Sequence, residues 1–226
     1  MAKTANNSAA QLKTRYLSSE DINNRKLYLI TKRGIDITGA IFGLIFFSFL
    51  FLIVSIAIKI EDPKGPVFFK QKRIGKDGRE FFMYKFRSMV TDAEEKLQEL
   101  LRYNEVSGAM FKMKNDPRIT AIGRLIRKTS IDELPQFINV LKGDMSLVGP
   151  RPPLPREVKM YTAYQKQRLL VTPGCTGLWQ VSARNDVGFE EMVELDLEYI
   201  QNRGVAYDVI IILKTVRVLL GSKNAF

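Results

Sequence analysis

The 226-residue sequence contains no histidine and a single cysteine, Cys175. The first absence excludes every Ser-His-Asp or Cys-His catalytic device and every histidine-ligated metal site. The second excludes an internal disulfide and a thiolate metal cluster. Without a histidine base, Cys175 has no evident activator. The phosphate loop G-x-x-x-x-G-K-[ST] and the dinucleotide fingerprint G-x-G-x-x-G are also missing, so a bound nucleotide has to rely on arginines and a metal ion. Acid is scarce: 24 Asp and Glu face 35 Lys and Arg, a net charge of +11. That surplus calls for an anionic partner, whether phosphate, nucleic acid or a lipid surface. Chemistry is left to carboxylates, Lys, Arg, Ser, Thr or Tyr, with or without a hard cation.

What the sequence does have is one long uncharged run, residues 37–58 (ITGAIFGLIFFSFLFLIVSIAI). As a helix it is about 33 Å long, close to the roughly 30 Å hydrocarbon core of a bilayer. It is apolar on all faces, unlike an amphipathic surface helix. A buried core helix is the alternative, and a cleaved signal peptide fits less well because no small-residue cleavage site follows. Both flanks are basic: Lys26, Lys32 and Arg33 before, and Lys59, Lys64, Lys70, Lys72, Arg73, Lys76 and Arg79 after. The positive-inside rule then puts both ends in the cytoplasm. A straight span cannot satisfy that, whereas a helix-break-helix can. No proline lies in the run, and Ser48 near its middle is able to bond a freed carbonyl.

The remainder reads as α+β and mostly helical. Residues 67–89 (VFFKQKRIGKDGREFFMYKFRSM) read as two short strands around a Lys76-Asp77-Gly78 turn. Helices are expected from Asp92 to Tyr103 (Leu97, Leu100 and Leu101 on one face), from Pro117 to Lys128, from Leu134 to Leu141 with Gly143 as the stop, over 156–171, from Phe189 to Gln201, and from Asp208 to Leu220. Pro173-Gly174 opens a loop carrying Trp179 and Arg184.

Four constellations carry chemistry. In Thr129-Ser130-Ile131-Asp132-Glu133 the plain reading is a capping box between Ser130 and Glu133, which Pro135 weakens. The sharper reading uses both carboxylates. A helix N-terminus keeps Asp132 ionised, which suits a nucleophile or a Mg²⁺ ligand rather than a general acid. Pro150-Arg151-Pro152-Pro153 stiffens the backbone on both sides of a guanidinium able to fork onto phosphate. Lys85 and Arg87 alternate on one strand face. Arg184-Asn185-Asp186 offers a further basic loop.

These strings together resemble the bacterial sugar transferases that act as monotopic phosphoglycosyl transferases. The similarity rests on Lys32-Arg33 with Asp36, Gly65-Pro66-Val67-Phe68-Phe69-Lys70-Gln71, Lys85-Phe86-Arg87-Ser88-Met89 and Asp116-Pro117-Arg118. It continues through Ser130-Ile131-Asp132-Glu133-Leu134-Pro135-Gln136, residues 143–152 (GDMSLVGPRP) and residues 173–180 (PGCTGLWQ). The resemblance implies transfer of a phospho-sugar from a UDP-sugar to a polyprenyl phosphate with release of UMP, the first step of capsule, exopolysaccharide or other surface glycan synthesis. It implies Asp132 as nucleophile and metal ligand, Glu133 beside it, Mg²⁺ as cofactor, and Arg151 on phosphate, with Lys85, Arg87, Arg127 and Arg184 as further basic positions. Relatives carry a proline just after the mid-helix serine. Here Phe49 follows Ser48, so a break has to fall at Ser48 or nearby Gly43.

The expected organisation is a flexible tail (1–29), a re-entrant membrane helix (30–62) and a catalytic domain (63–226) with interfacial helices, on the cytoplasmic face of a bacterial plasma membrane. The lengths match a short form of the family. Partners are the UDP-sugar, the polyprenyl phosphate and the bilayer, not nucleic acid; homo-oligomerisation is left open. The competing readings are a membrane-tethered anionic-lipid binder without catalysis and an aspartyl phosphatase. The D-x-D-x-T string of one phosphatase class is absent.

Overall fold

The computed structural model describes residues 17, 22, 24–105, 113, 115–182 and 188–221. The first elements given bounds are two helices, α1 (Lys26–Phe46) and α2 (Ser48–Glu61). No single described helix is long and apolar enough to cross a membrane; this pair passes that test only together, bent by 59°. The break is Phe47, which leaves helical geometry at φ −91°, ψ 6° while its N–H still reaches the Gly43 carbonyl. It thus falls between Gly43 and Ser48. Ser48 opens α2 without a side-chain hydrogen bond to any described residue. Ser55 makes that kind of bond instead, to the Phe51 carbonyl.

No proline makes this bend; packing of each arm does. Asp36, Ala40 and Gly43, at i, i+4 and i+7, are the buried face of α1. A Cβ on Gly43 would stand 2.6 Å from the Phe137 ring, and one on Gly39 2.6 Å from Leu147. Small residues therefore let α1 lie close on the domain. On α2, Val54 and Ile58 pack with Phe86 and Ile126.

Polar bonds fasten both ends. Lys32 and Tyr28 bond the buried Asp208 at 2.8 and 2.9 Å. Arg33 donates to the Val140 and Leu141 carbonyls, and Asp36 accepts from Ser146 and Leu147. At the far end, Glu61 accepts from the Ala121 and Ile122 N–H groups, and Asp62 pairs with Arg87 at 2.7 Å. Of the stretch expected to be a flexible tail (1–29), Ile22 is buried in the core, Arg25 donates to the Arg203 carbonyl, and residues 26–29 already belong to α1.

The hairpin is as the alternation predicts. β1 (Phe68–Ile74) pairs antiparallel with β2 (Glu80–Phe86), and Asp77 and Gly78 both take positive φ in the turn between them. After it come α3 (Ala93–Leu100), α4 (Ala121–Lys128), α5 (Gln136–Lys142), β3 (Ser146–Val148), α6 (Pro155–Lys159), β4 (Gly174–Thr176), α7 (Leu178–Ser182), α8 (Phe189–Asn202) and α9 (Val205–Gly221). Four expectations need correction. Helix α4 starts at Ala121 rather than Pro117, because Thr120 caps it by accepting from Gly123 N–H. The helix expected over 156–171 is split into α6 and a 3₁₀ segment, Gln165–Leu170. Of Leu97, Leu100 and Leu101, only Leu97 is buried; Leu101 turns out to solvent in a 3₁₀ turn. The loop at Pro173-Gly174 contains β4, which pairs parallel with β3. This pairing needs glycine, since a Cβ on Gly174 would fall onto the Gly149 backbone.

Asn139 joins α5 to the hairpin. Its Oδ1 accepts from Tyr84 N–H at 2.9 Å and its Nδ2 donates to the Phe82 carbonyl at 2.7 Å, so a buried amide continues the ladder of β2. Asn139→Leu keeps the volume but removes the partner of two part-buried backbone groups, the Tyr84 N–H and the Phe82 carbonyl. It is expected to cost about 1–3 kcal/mol, visible as a lower thermal midpoint. An unchanged midpoint would contradict this role.

Candidate active site

The carboxylate pair sits where α4 gives way to α5. Ser130 takes a left-handed conformation, φ 56°, and ends the α4 segment. The chain then makes one 3₁₀ turn, Ile131–Glu133, before Pro135 and α5. A non-glycine residue in that region costs roughly 1–2 kcal/mol, so the turn is held by its surroundings. The capping-box reading is not what forms: Ser130 makes no side-chain cap, and Glu133 reaches across to Lys85 instead.

Lys85 lies on the hairpin face made by odd-numbered residues, and its ammonium is 2.7 Å from Glu133 Oε1. Asp132 is buried, 7% exposed. Burial pushes its carboxyl up to about 6, with the Glu133 charge adding, against the pull of Lys85 and Arg127. It is therefore mostly ionised at pH 7, but the environment opposes its charge, contrary to the expectation from a helix terminus. An anion seated at a cost, next to cations, is a competent nucleophile toward phosphorus.

Three of the expected basic residues gather around this pair or on its flank. Lys85 and Arg127 bear on Asp132. Arg151 is reached through Arg73, a residue that sequence reasoning did not single out. Buried Arg73 has Arg151 and Glu133 among its charged neighbours. Its signal was in the hairpin: pairing Arg73 with Phe81 and Phe69 with Lys85 puts Arg73 and Lys85 on the same face. Arg87 goes elsewhere. Its guanidinium is consumed by Asp62 at the end of α2, and Gly65 leaves it room, since a Cβ there would overlap it. Arg184 lies outside the described residues. Cys175 packs with Ala40, Met83, Val140 and Met145, and burial pushes its thiol up, so it stays protonated.

Mg²⁺ fits the residues present if phosphate completes its shell. Among the described residues no third acidic or cysteine side chain joins Asp132 and Glu133 in a metal-binding group. Mg²⁺ is commonly held by one or two carboxylates together with substrate phosphates and water.

A family model described as bacterial sugar transferase matches residues 27–222. A galactosyl transferase, CpsE, of Streptococcus agalactiae serotype III is 52% identical over 194 residues, 85% of this chain and 43% of that protein. An undecaprenyl-phosphate galactose phosphotransferase of Salmonella typhimurium is 46% identical, over 86% of this chain and 41% of that one. The exopolysaccharide production protein ExoY of Rhizobium meliloti is 40% identical over 87% of this chain and 88% of its own length. The chain thus spans about two fifths of the length of the first two. The matched region contains the hairpin, the Asp132-Glu133 turn and the Pro150–Pro153 loop, and the chain belongs to the bacterial sugar transferase family.

Proposed function

We propose that the chain transfers a phospho-sugar from a UDP-sugar to a polyprenyl phosphate, initiating a surface glycan such as capsule or exopolysaccharide. The observation that carries this reading is the setting of Asp132: a buried carboxylate beside Glu133 and Lys85, with the Arg127 charge bearing on it. An Asp132 oxygen attacks the sugar-bearing phosphorus. The bond from that phosphorus to the bridging oxygen breaks, and UMP leaves with the electron pair. An oxygen of the polyprenyl phosphate then attacks the same phosphorus, the bond to Asp132 breaks, and the carboxylate is restored. Lys85 and Arg127 oppose the charge that builds on the phosphoryl oxygens, and Arg151 holds donor phosphate. Mg²⁺, when bound, supplies positive charge against the diphosphate; Asp132, with Glu133 beside it, would hold it.

The bent pair α1–α2 seats in the bilayer and returns to the face it entered, placing the site at the headgroups of the cytoplasmic leaflet. Support comes from its unpacked surface: Phe46 and Phe49 are 67% and 71% exposed, with Ile41, Phe42, Ile45, Leu52 and Ile56 also in the open. Such a contiguous apolar surface marks an interaction site. Both of its ends are fastened to one domain. Helix α9, with Ile210, Leu213 and Val216 exposed and Lys214 and Arg217 on the same helix, rests on the interface.

The test is UMP release by the full chain in native-lipid particles, from UDP-galactose, UDP-glucose and UDP-N-acetylgalactosamine, with undecaprenyl phosphate as acceptor. Galactose leads because the galactosyl transferase and the galactose phosphotransferase described above are named for it. The expected result is multiple-turnover release from one donor that requires both acceptor and Mg²⁺ and is lost on chelation, with donor alone giving no more than one UMP per chain. Binding of anionic vesicles with no release from any donor would favour a non-catalytic tether instead.

A further inference from the structure

The loop that presents Arg151 cannot hold itself. Three of its four residues, Pro150, Pro152 and Pro153, have no N–H. Yet all four of its consecutive carbonyls are bonded, each from outside. Pro150 accepts from Gly174 N–H at 2.9 Å, and Pro153 from Ile74 N–H at 3.0 Å. Arg151 accepts from the Arg168 guanidinium at 3.3 Å. Pro152 accepts from Arg73 Nη1 at 2.8 Å.

Arg73 is the donor that also faces the chemistry. It sits on the hairpin face that carries Lys85. Gln71 Oε1 orients its guanidinium by accepting from both Nε and Nη2. The Arg151 side chain is 27% exposed and pairs with the buried Glu157 at 3.5 Å. All four carbonyls of the loop backbone are thus fixed from outside, while part of the Arg151 guanidinium remains open to solvent and to a ligand. Arg73 ties that backbone to the strand that pairs with the Lys85 strand.

We infer that Arg73 is a positioning residue: by bonding the Pro152 carbonyl it sets where Arg151 meets donor phosphate relative to Lys85 and the carboxylate pair. This rests on the reading of Arg151 as a phosphate ligand. A guanidinium suits the task because it stays charged and presents several donors in a fixed plane, so it can hold Gln71 and Pro152 at once. A lysine has a single nitrogen and reaches only one of them.

The test is a double-mutant cycle on the full chain in native-lipid particles, using whichever UDP-sugar of the panel is active and undecaprenyl phosphate. Arg151→Ala is expected to lower kcat/KM about 100-fold, and Arg73→Gln to raise the donor KM about tenfold with kcat within about threefold. The double variant is expected to be no worse than Arg151→Ala within about twofold, because Arg73 acts only through Arg151. Multiplying losses would overturn the inference while leaving Arg151 as a ligand. An unchanged kcat/KM in Arg151→Ala would overturn the reading beneath it. Should Arg73→Gln fail to fold by its thermal midpoint, Arg73→Lys takes its place in the cycle. It keeps the charge, and a donor KM equal to that of the unaltered chain would count against the clamp.

Discussion

Asp132→Asn is expected to abolish UMP release, with a loss of at least about 10³-fold in kcat, and at the same time to raise the thermal midpoint. The first half follows from chemistry, since an amide oxygen cannot form and release the covalent phosphoryl bond that the proposed mechanism requires. The second half follows from linkage. The ordinary carboxyl value is 3.8, and burial lifts that of Asp132 to about 6. Between these values the folded state binds the proton more tightly than the unfolded chain, so stability falls as pH rises through that window. Above about pH 6 the full cost is present, and below 3.8 it vanishes. Asparagine removes the buried charge, for a gain of up to about 3 kcal/mol at neutral pH that disappears in acid. A variant that is inactive and more stable excludes unfolding as the cause of inactivity. Release that survives the substitution would remove Asp132 as nucleophile. Intact mass after brief exposure to donor alone gives an independent check: a phospho-sugar adduct on the unaltered chain and none on the variant.

Arg168→Met is expected to destabilise the domain by about 3–5 kcal/mol, the usual cost of leaving a buried charge without its partner. Arg168 and Asp196 are 1% and 0% exposed and 2.6 Å apart. Among the described residues Asp196 Oδ1 has no hydrogen-bond partner, and Arg168 is the cation paired with that carboxylate. Burial raises the Asp196 carboxyl and Arg168 lowers it; without the arginine, Asp196 folds with a proton on it. The deficit of Arg168→Met is therefore smaller at mildly acid than at mildly alkaline pH. Adding Asp196→Leu is expected to recover most of the loss, since replacing both members of a buried pair by apolar groups is often neutral. Unfolding midpoints of the two single variants and the double variant decide it. Additive losses would show that the ion pair is not what matters. Arg168 also holds the Arg151 carbonyl, so even a recovered double variant is expected to retain reduced kcat/KM.

Where the sequence was legible, short-range periodicity made it so. Alternation on either side of Lys76-Asp77-Gly78 is enough for the hairpin, and the apolar spacing predicts helices over Phe189–Gln201 and Asp208–Leu220, which the structure has as α8 and α9, the latter starting three residues earlier at Val205. The split of 156–171 has a local cause in the sequence. Thr162 N–H donates to Gln165 Oε1, and Gln165 N–H to Thr162 Oγ1, a reciprocal cap that starts a new element. The parallel pairing of β3 with β4 had no local signature, because it is made between three-residue segments brought together by backbone contact at Gly149 and Gly174.

The sequence by itself determined the apolar run, the hairpin, the acidic pair and the proline-locked arginine, since each is a property of neighbouring residues. Only the tertiary structure decided which cations meet the acidic pair. Lys85 and Arg87 share an alternation, yet one reaches Glu133 and the other Asp62, because different elements lie opposite them. It also decided the bend at Phe47, which comes from two arms packed on one domain, and the role of Arg73, whose strand register carries it beneath the loop of Arg151. Local pattern sets the direction of a side chain; what it meets there depends on residues far away in the chain.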